Sequence, residues 1–165
     1  RRPSGRAGGD LAAGQPLAVA ADAHGRHVFT VRHGHALGHR RGGLALVVDD
    51  YDSAIDFFCE GLGFALTADV DQGDKRWVTV AAPGGGAELV LAQATGARQQ
   101  AAIGDQAGGR VWLFLETTDF AHDHARILAA GGQFEEEPRH ESYGTVAVWR
   151  DLWGNRWDLI QRAGL

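Results

Sequence analysis

The sequence predicts an α+β domain of two tandem βαβββ modules, whose strands form a curved mixed sheet around a concave pocket. Three observations carry this prediction. The 165 residues are 44% apolar, enough for a sizeable core in one domain of ordinary size. Residues 43–165 run twice through one pattern of a strand, a helix and three further strands. Apolar residues alternate within the strands and recur at helical spacing between them.

The first module, residues 43–92, opens with the β-rich run Leu44–Val48. Leu44, Leu46 and Val48 share one strand face, which suits a covering helix, while Gly43, Ala45 and Val47 share the other. Asp50 or Asp52 can cap the helix that follows, because a carboxylate there accepts orphan amides. Ile55, Phe58 and Leu62 fall on one helical face, and Gly61 and Gly63 end the helix. Cys59 in this helix is expected to be a small buried hydrophobe. The later strands are Arg76–Ala82 and Glu88–Leu91, joined by the hairpin turn Pro83–Gly86.

The second module, residues 110–161, opens with Val111–Leu115. Asp119 is the expected cap of its helix, whose apolar stripe is Phe120, Ile127 and Leu128. His122 and His124 are two apart on that helix and so cannot jointly chelate one ion. Gly131 and Gly132 stop the helix. Strands Thr145–Trp149 and Trp157–Ile160 flank a turn at Leu152–Asn155. The acidic run Glu135–Glu137 before Pro138 reads as a solvated loop.

Charge divides the chain. Residues 1–42 hold seven Arg against Asp10 and Asp22, and five of the eight His. This Arg/Gly/His-rich segment is expected to be a disordered tail preceding the domain at 43–165. His33, His35 and His39 read as part of that flexible tail rather than as a metal site, since Gly34 and Gly38 give no rigid frame. The net charge of −5 exerts no overall pull toward nucleic acid. No apolar run approaches the ~20 residues of a membrane span. One cysteine excludes an internal disulfide and a four-cysteine zinc site. No apolar stretch suits an export signal, so the expected compartment is the cytoplasm. Met is absent even at position 1, as expected of a processed product, a fragment or a reading without its natural start.

Strand parity places several chemistry-bearing residues on the concave side. Arg110, Trp112 and Phe114 are expected there from the second module, with Glu88, Val90, Asp158 and Ile160 from the last strands. Two readings remain open. Arg110 forms an ion pair with Glu88 or Asp158 among core aromatics, or these residues make a ligand site with a charged floor and aromatic walls.

Asp50-Tyr51 before the first helix, Leu62-Gly63-Phe64 after it, and the paired βαβββ order resemble the vicinal oxygen chelate superfamily. This is the glyoxalase, bleomycin-resistance and ring-cleaving dioxygenase group. Gly109–Phe120 and Tyr143–Ile160 are similar to a glyoxalase-like subgroup, and the resemblance covers about residues 43–162. One fold hosts many activities, so the resemblance bears on fold more than on chemistry.

The resemblance implies where a metal would sit. Metal-binding members hold one divalent ion with four concave-face side chains, at positions that correspond here to Gly43, Glu88, Arg110 and Asp158. Gly43 has no side chain and Arg110 is a permanent cation, so only Glu88 and Asp158 can ligate. A catalytic metal site keeps three protein ligands. No cofactor is therefore expected. The expected function is binding of a flat or partly aromatic small molecule by Arg110, Trp112, Phe114, Tyr143 and Asp158. The alternative is a lyase, isomerase or dioxygenase using zinc, nickel, manganese or iron, with Glu88 as ligand or catalytic base. A metal-free enzyme with Glu88 as base and Arg110 as oxyanion partner lies between them. Pairing into a homodimer is a further implication, with no nucleic-acid or membrane partner.

Overall fold

The structure, a computed structural model, describes Ala20–Ala21, His27–Val28 and residues 42–164. Two compact units divide between His39 and Arg40. In the first, strand β1 (Ala20–Ala21) pairs antiparallel with β2 (His27–Val28). Apart from these residues and Gly42, the tail expected over 1–42, with His33, His35 and His39, lies outside the described residues.

The second unit carries both modules. The first contains β3 (Gly43–Val48), α1 (Tyr51–Ile55), β4 (Ala65–Asp71), β5 (Arg76–Ala81) and β6 (Glu88–Gln93). A linker with the short helix α2 (Ala97–Gln100) leads to β7 (Val111–Glu116), α3 (Phe120–Ala129), β8 (Gln133–Phe134), β9 (Arg139–Glu141), β10 (Gly144–Arg150) and β11 (Arg156–Arg162). Each module forms its own curved mixed sheet, in the orders β3-β6-β5-β4 and β7-β11-β10-β8, with β9 also on β10. In both, the first strand lies at the edge and runs parallel to the last.

Local sequence explains these elements. Asp50 caps α1, its Oδ1 accepting from Ser53 N at 2.8 Å. Asp52 instead pairs with Arg76 at 2.7 Å. Beyond Ile55 the helix widens into a π-helical segment, Asp56–Gly61. There Leu62 N donates to Phe57 O, five residues back, at 3.0 Å. The wider turn buries Phe57 alongside Phe58. Asp119 caps α3 by accepting from His122 N at 3.0 Å. In the second module the strand after the helix is broken into β8 and β9. Pro138, which has no amide to donate, lies in the break.

One core serves both modules. Leu46, Val48, Val78, Val80, Leu89 and Leu91 of the first sheet join Leu113, Trp149, Trp157 and Leu159 of the second. Phe57 packs edge-on against Trp153 at 5.7 Å, and Phe58 stacks on the same indole at 6.0 Å. The parity predicted for Leu46, Val48, Leu89, Leu91, Leu113 and Leu159 is the parity observed. Two residues depart from expectation: Leu44, on the face that suits a covering helix, is 44% exposed, and Leu128, expected in the apolar stripe of α3, is 50% exposed, one step (about 100°) round the helix from buried Ile127.

Candidate functional site

β7 is an edge strand among the described residues, where β11 is its one ladder partner. Leu113 points into the core, while Phe114, the ladder partner of Asp158, stands 62% exposed on the other face. Around this edge runs a groove of about 860 Å³ between the modules. Its walls are Leu44, Phe64 and Leu89 from the first module and Trp112, Phe114 and Leu115 from the second. The Pro83–Ala87 turn borders it, as do Asp123 and Arg126 of α3. Leu44, on the helix-facing side of β3 yet partly exposed, thus faces the groove rather than the sealed core.

Two kinds of polar group meet these apolar walls. Glu116 and Arg162, on neighbouring strands, pair at 2.5 Å. The hydrogen bond from Arg162 holds the Glu116 carboxyl below its ordinary range, and Glu116 raises the guanidinium's pKa in turn. Both side chains are about half exposed, so the pair shapes the rim more than it stabilises the fold. Arg126 crosses between modules, its Nε donating to Gly61 O at 2.7 Å. Gly63 makes room for it. At φ +76° that residue is left-handed, and a Cβ there would lie 2.6–2.8 Å from the guanidinium.

The residues singled out in the sequence are divided by the structure. Trp112 and Phe114 line the groove. Glu88 is half-buried and is the ladder partner of Gly43, on the first sheet. Arg110 precedes β7, is exposed, and borders a separate crevice of about 30 Å³ with Gln106, Arg150 and Arg156. Of the two readings left open, the ion pair of Arg110 with Glu88 or Asp158 is not formed among the described residues: Arg110 lies before the strand whose parity was to aim it. Tyr143 is about half exposed in the turn before β10 and does not line the groove. Asp158 lies on the second sheet, its Oδ1 buried without a hydrogen-bond partner among the described residues. Burial pushes its carboxyl up, Arg139 opposes that shift and Glu136 reinforces it.

Of the four positions that the resemblance implies for a divalent ion, Gly43 supplies no donor and Arg110 is a cation, which leaves Glu88 on the first sheet and Asp158 on the second, two donors where a catalytic site keeps three. No group of three or more His, Cys, Asp or Glu converges among the described residues. Sequence reading missed Phe64, Glu116, Asp123, Arg126 and Arg162. Asp123 and Arg126 flank the buried stripe residue Ile127, a signal for a helix face at a boundary. Gly61, the partner of Arg126, is 65 residues earlier and gives no such signal.

Comparison with known proteins agrees with this architecture. The description of the Glyoxalase/Bleomycin resistance protein/Dioxygenase superfamily matches residues 32–159. An uncharacterized protein of Shewanella frigidimarina (strain NCIMB 400) is 52% identical over 121 residues, covering 72% of this chain and 90% of that protein. The uncharacterized protein YurT of Bacillus subtilis (strain 168) is 30% identical, over 72% of this chain and 95% of its own. The crystal structure of TnmS3, an antibiotic binding protein from Streptomyces sp. CB03234, superposes with a TM-score of 0.61 at 28% identity, covering 78% of this chain and all of that one. With two βαβββ modules, this sheet order and a family match across most of its length, the chain belongs to the Glyoxalase/Bleomycin resistance protein/Dioxygenase superfamily.

Proposed function

We propose that this protein binds a small molecule with a flat, apolar body in the groove along β7, without a metal. The observation that carries this reading is the groove itself. Its volume of about 860 Å³ lies within the range of ligand pockets, ~300–1,000 Å³, and its walls are aromatic and aliphatic. Trp112 and Phe114 supply ring faces, and Leu44, Phe64, Leu89 and Leu115 the aliphatic and aromatic surroundings. The likeness to TnmS3 supports a binding role, since that relative is an antibiotic binding protein.

The test is a thermal-shift screen of aromatic small molecules against the full chain. A ligand at a hundred times its Kd should stabilise the fold by about 2.7 kcal/mol. Stabilisation that is lost in Trp112→Ala and Phe114→Ala would uphold the reading. Stabilisation indifferent to both substitutions would overturn it. Elemental analysis after dialysis against zinc, nickel, manganese and iron tests the metal-dependent alternative: one ion per chain, lost in Glu88→Ala, would replace binding with lyase or dioxygenase chemistry.

Pairing of two copies belongs to the same proposal. Val70 and Trp77, ladder partners on β4 and β5, are each about half exposed and leave an apolar surface outside the core. Light scattering gives the mass directly, and a single-chain mass would remove this part.

A further inference from the structure

We propose that the groove takes an oxyanion on an apolar body, and that Arg126 anchors the anionic group. This rests on the groove being the ligand site and adds the chemistry of what enters it. Arg126 is half-buried in the groove wall. Only its Nε is engaged, by Gly61 O, and its two terminal nitrogens make no hydrogen bond or ion pair among the described residues. The other arginine of the groove, Arg162, is already committed to Glu116.

The guanidinium is positioned before any ligand arrives. The bond from Nε to Gly61 O fixes one edge, and the bare backbone of Gly63 lies against it. The two terminal nitrogens are left as a planar fork. Such a fork matches the two oxygens of a carboxylate, sulfonate or phosphate. Apolar walls on either side reduce competition from water and strengthen the contact. Phe64, Leu115 and Phe114 would then cover the ligand's apolar part.

Asp123 sharpens the argument. It sits three residues before Arg126 on α3, lines the same groove, and makes no ion pair with it. Its carboxylate opposes an incoming anion. Removing that charge should therefore tighten anion binding, whereas removing Arg126 should weaken it. A purely structural role for Arg126, tying α3 to Gly61, predicts no such pair of opposite effects.

The experiment titrates the full chain with two fluorescent probes. One is 1-anilinonaphthalene-8-sulfonate; the other is N-phenyl-1-naphthylamine, the same rings without the sulfonate. The expected result is a sulfonate preference of about tenfold or more, the scale of one hydrogen bond to a charged group. Arg126→Gln should abolish the preference by weakening the sulfonate about tenfold more than the neutral probe, with a cooperative thermal melt showing that the fold survives. Arg126→Lys should restore part of it, and Asp123→Asn should tighten the sulfonate alone. An unchanged preference in Arg126→Gln, or none in the unaltered protein, overturns the assignment of Arg126. If Trp112→Ala and Phe114→Ala weaken neither probe, the groove reading itself fails, and the proposal with it.

Discussion

Gln106 pairs with Val47 as a neighbouring strand would. Its Oε1 accepts from Val47 N at 2.6 Å, and its Nε2 donates to Ala45 O at 3.3 Å. Strand β3 is the edge of its sheet, and an open edge invites pairing with another chain. One side-chain amide, arriving from the linker, satisfies a donor and an acceptor of that edge. Gln106→Ala should cost about 1 kcal/mol for the bonds lost. Urea unfolding measures the cost, and the variant should also self-associate more readily with rising concentration.

Asp151 organises the turn between β10 and β11. Its Oδ1 accepts from the amides of Trp153, Gly154 and Asn155, and its Oδ2 from Asn155 Nδ2 and Trp157 Nε1. It is buried, and burial pushes its carboxyl up despite these donors. Asp151→Ala takes the acceptor from Trp153 N, Asn155 N, Asn155 Nδ2 and Trp157 Nε1, while Gly154 N keeps its bond to Asp151 O at 3.1 Å, and should destabilise the fold by about 3 kcal/mol. Chemical denaturation checks this, with Asp151→Asn expected to fall between the two.

Asp158 has the opposite expectation. One of its oxygens is buried without a hydrogen-bond partner among the described residues, and burial raises its carboxyl above the ordinary 3.8. A carboxyl whose folded pKa is raised favours folding below its unfolded pKa and loses that contribution as pH rises through the folded value. Asp158→Asn removes the charge that burial disfavours. The variant should unfold at a higher temperature at pH 7, and its advantage should shrink toward pH 4. Melting curves across that range decide it, and a constant difference would contradict the account.

Glu135 works in the reverse sense. It bridges Arg156 at 2.6 Å and Arg150, and the hydrogen bond from Arg156 is the main cause holding its carboxyl below the ordinary 4.5. Its stabilising contribution is present above pH 4.5 and is lost as pH falls through the depressed folded value. Both arginines are partly exposed, so Glu135→Gln should cost only about 1 kcal/mol at neutral pH. That loss should shrink in high salt, which denaturation with and without added sodium chloride would show.

Gly63→Ala joins backbone and groove. The left-handed φ makes any side chain costly there, by about 1 kcal/mol or more. The new methyl would also meet the Arg126 guanidinium. The variant should therefore melt lower and lose sulfonate preference together, whereas Gly84→Ala, with open space around it, should do neither.

The sequence was most legible where a period decides the outcome. Alternation assigned Leu46, Leu89, Leu113 and Leu159 to the core, Asp119 was recognisable as a cap from its position, and the first cap was narrowed to Asp50 or Asp52, of which Asp50 serves. Legibility ended where partners are distant. Parity tells which face a side chain takes, not which faces meet: Arg110 lies before β7 and makes no ion pair with Glu88 or Asp158 among the described residues. The acidic run was read as solvated, yet Glu135 pairs with two arginines and Glu136 accepts from Val148 N. Those partners come from β10 and β11, which no local pattern announces. The π-helical segment also went unseen, because burial of both Phe57 and Phe58 depends on Trp153 across the modules.

That cross-module contact bears on how the repeat behaves as matter rather than as text. Two similar stretches of sequence suggest two parts, each able to stand alone. Here the aromatic rings of one copy are sealed by the indoles of the other, so neither copy owns a complete interior. A cut in the linker around α2 would leave halves that must find each other to persist, and heat would melt both in a single cooperative step.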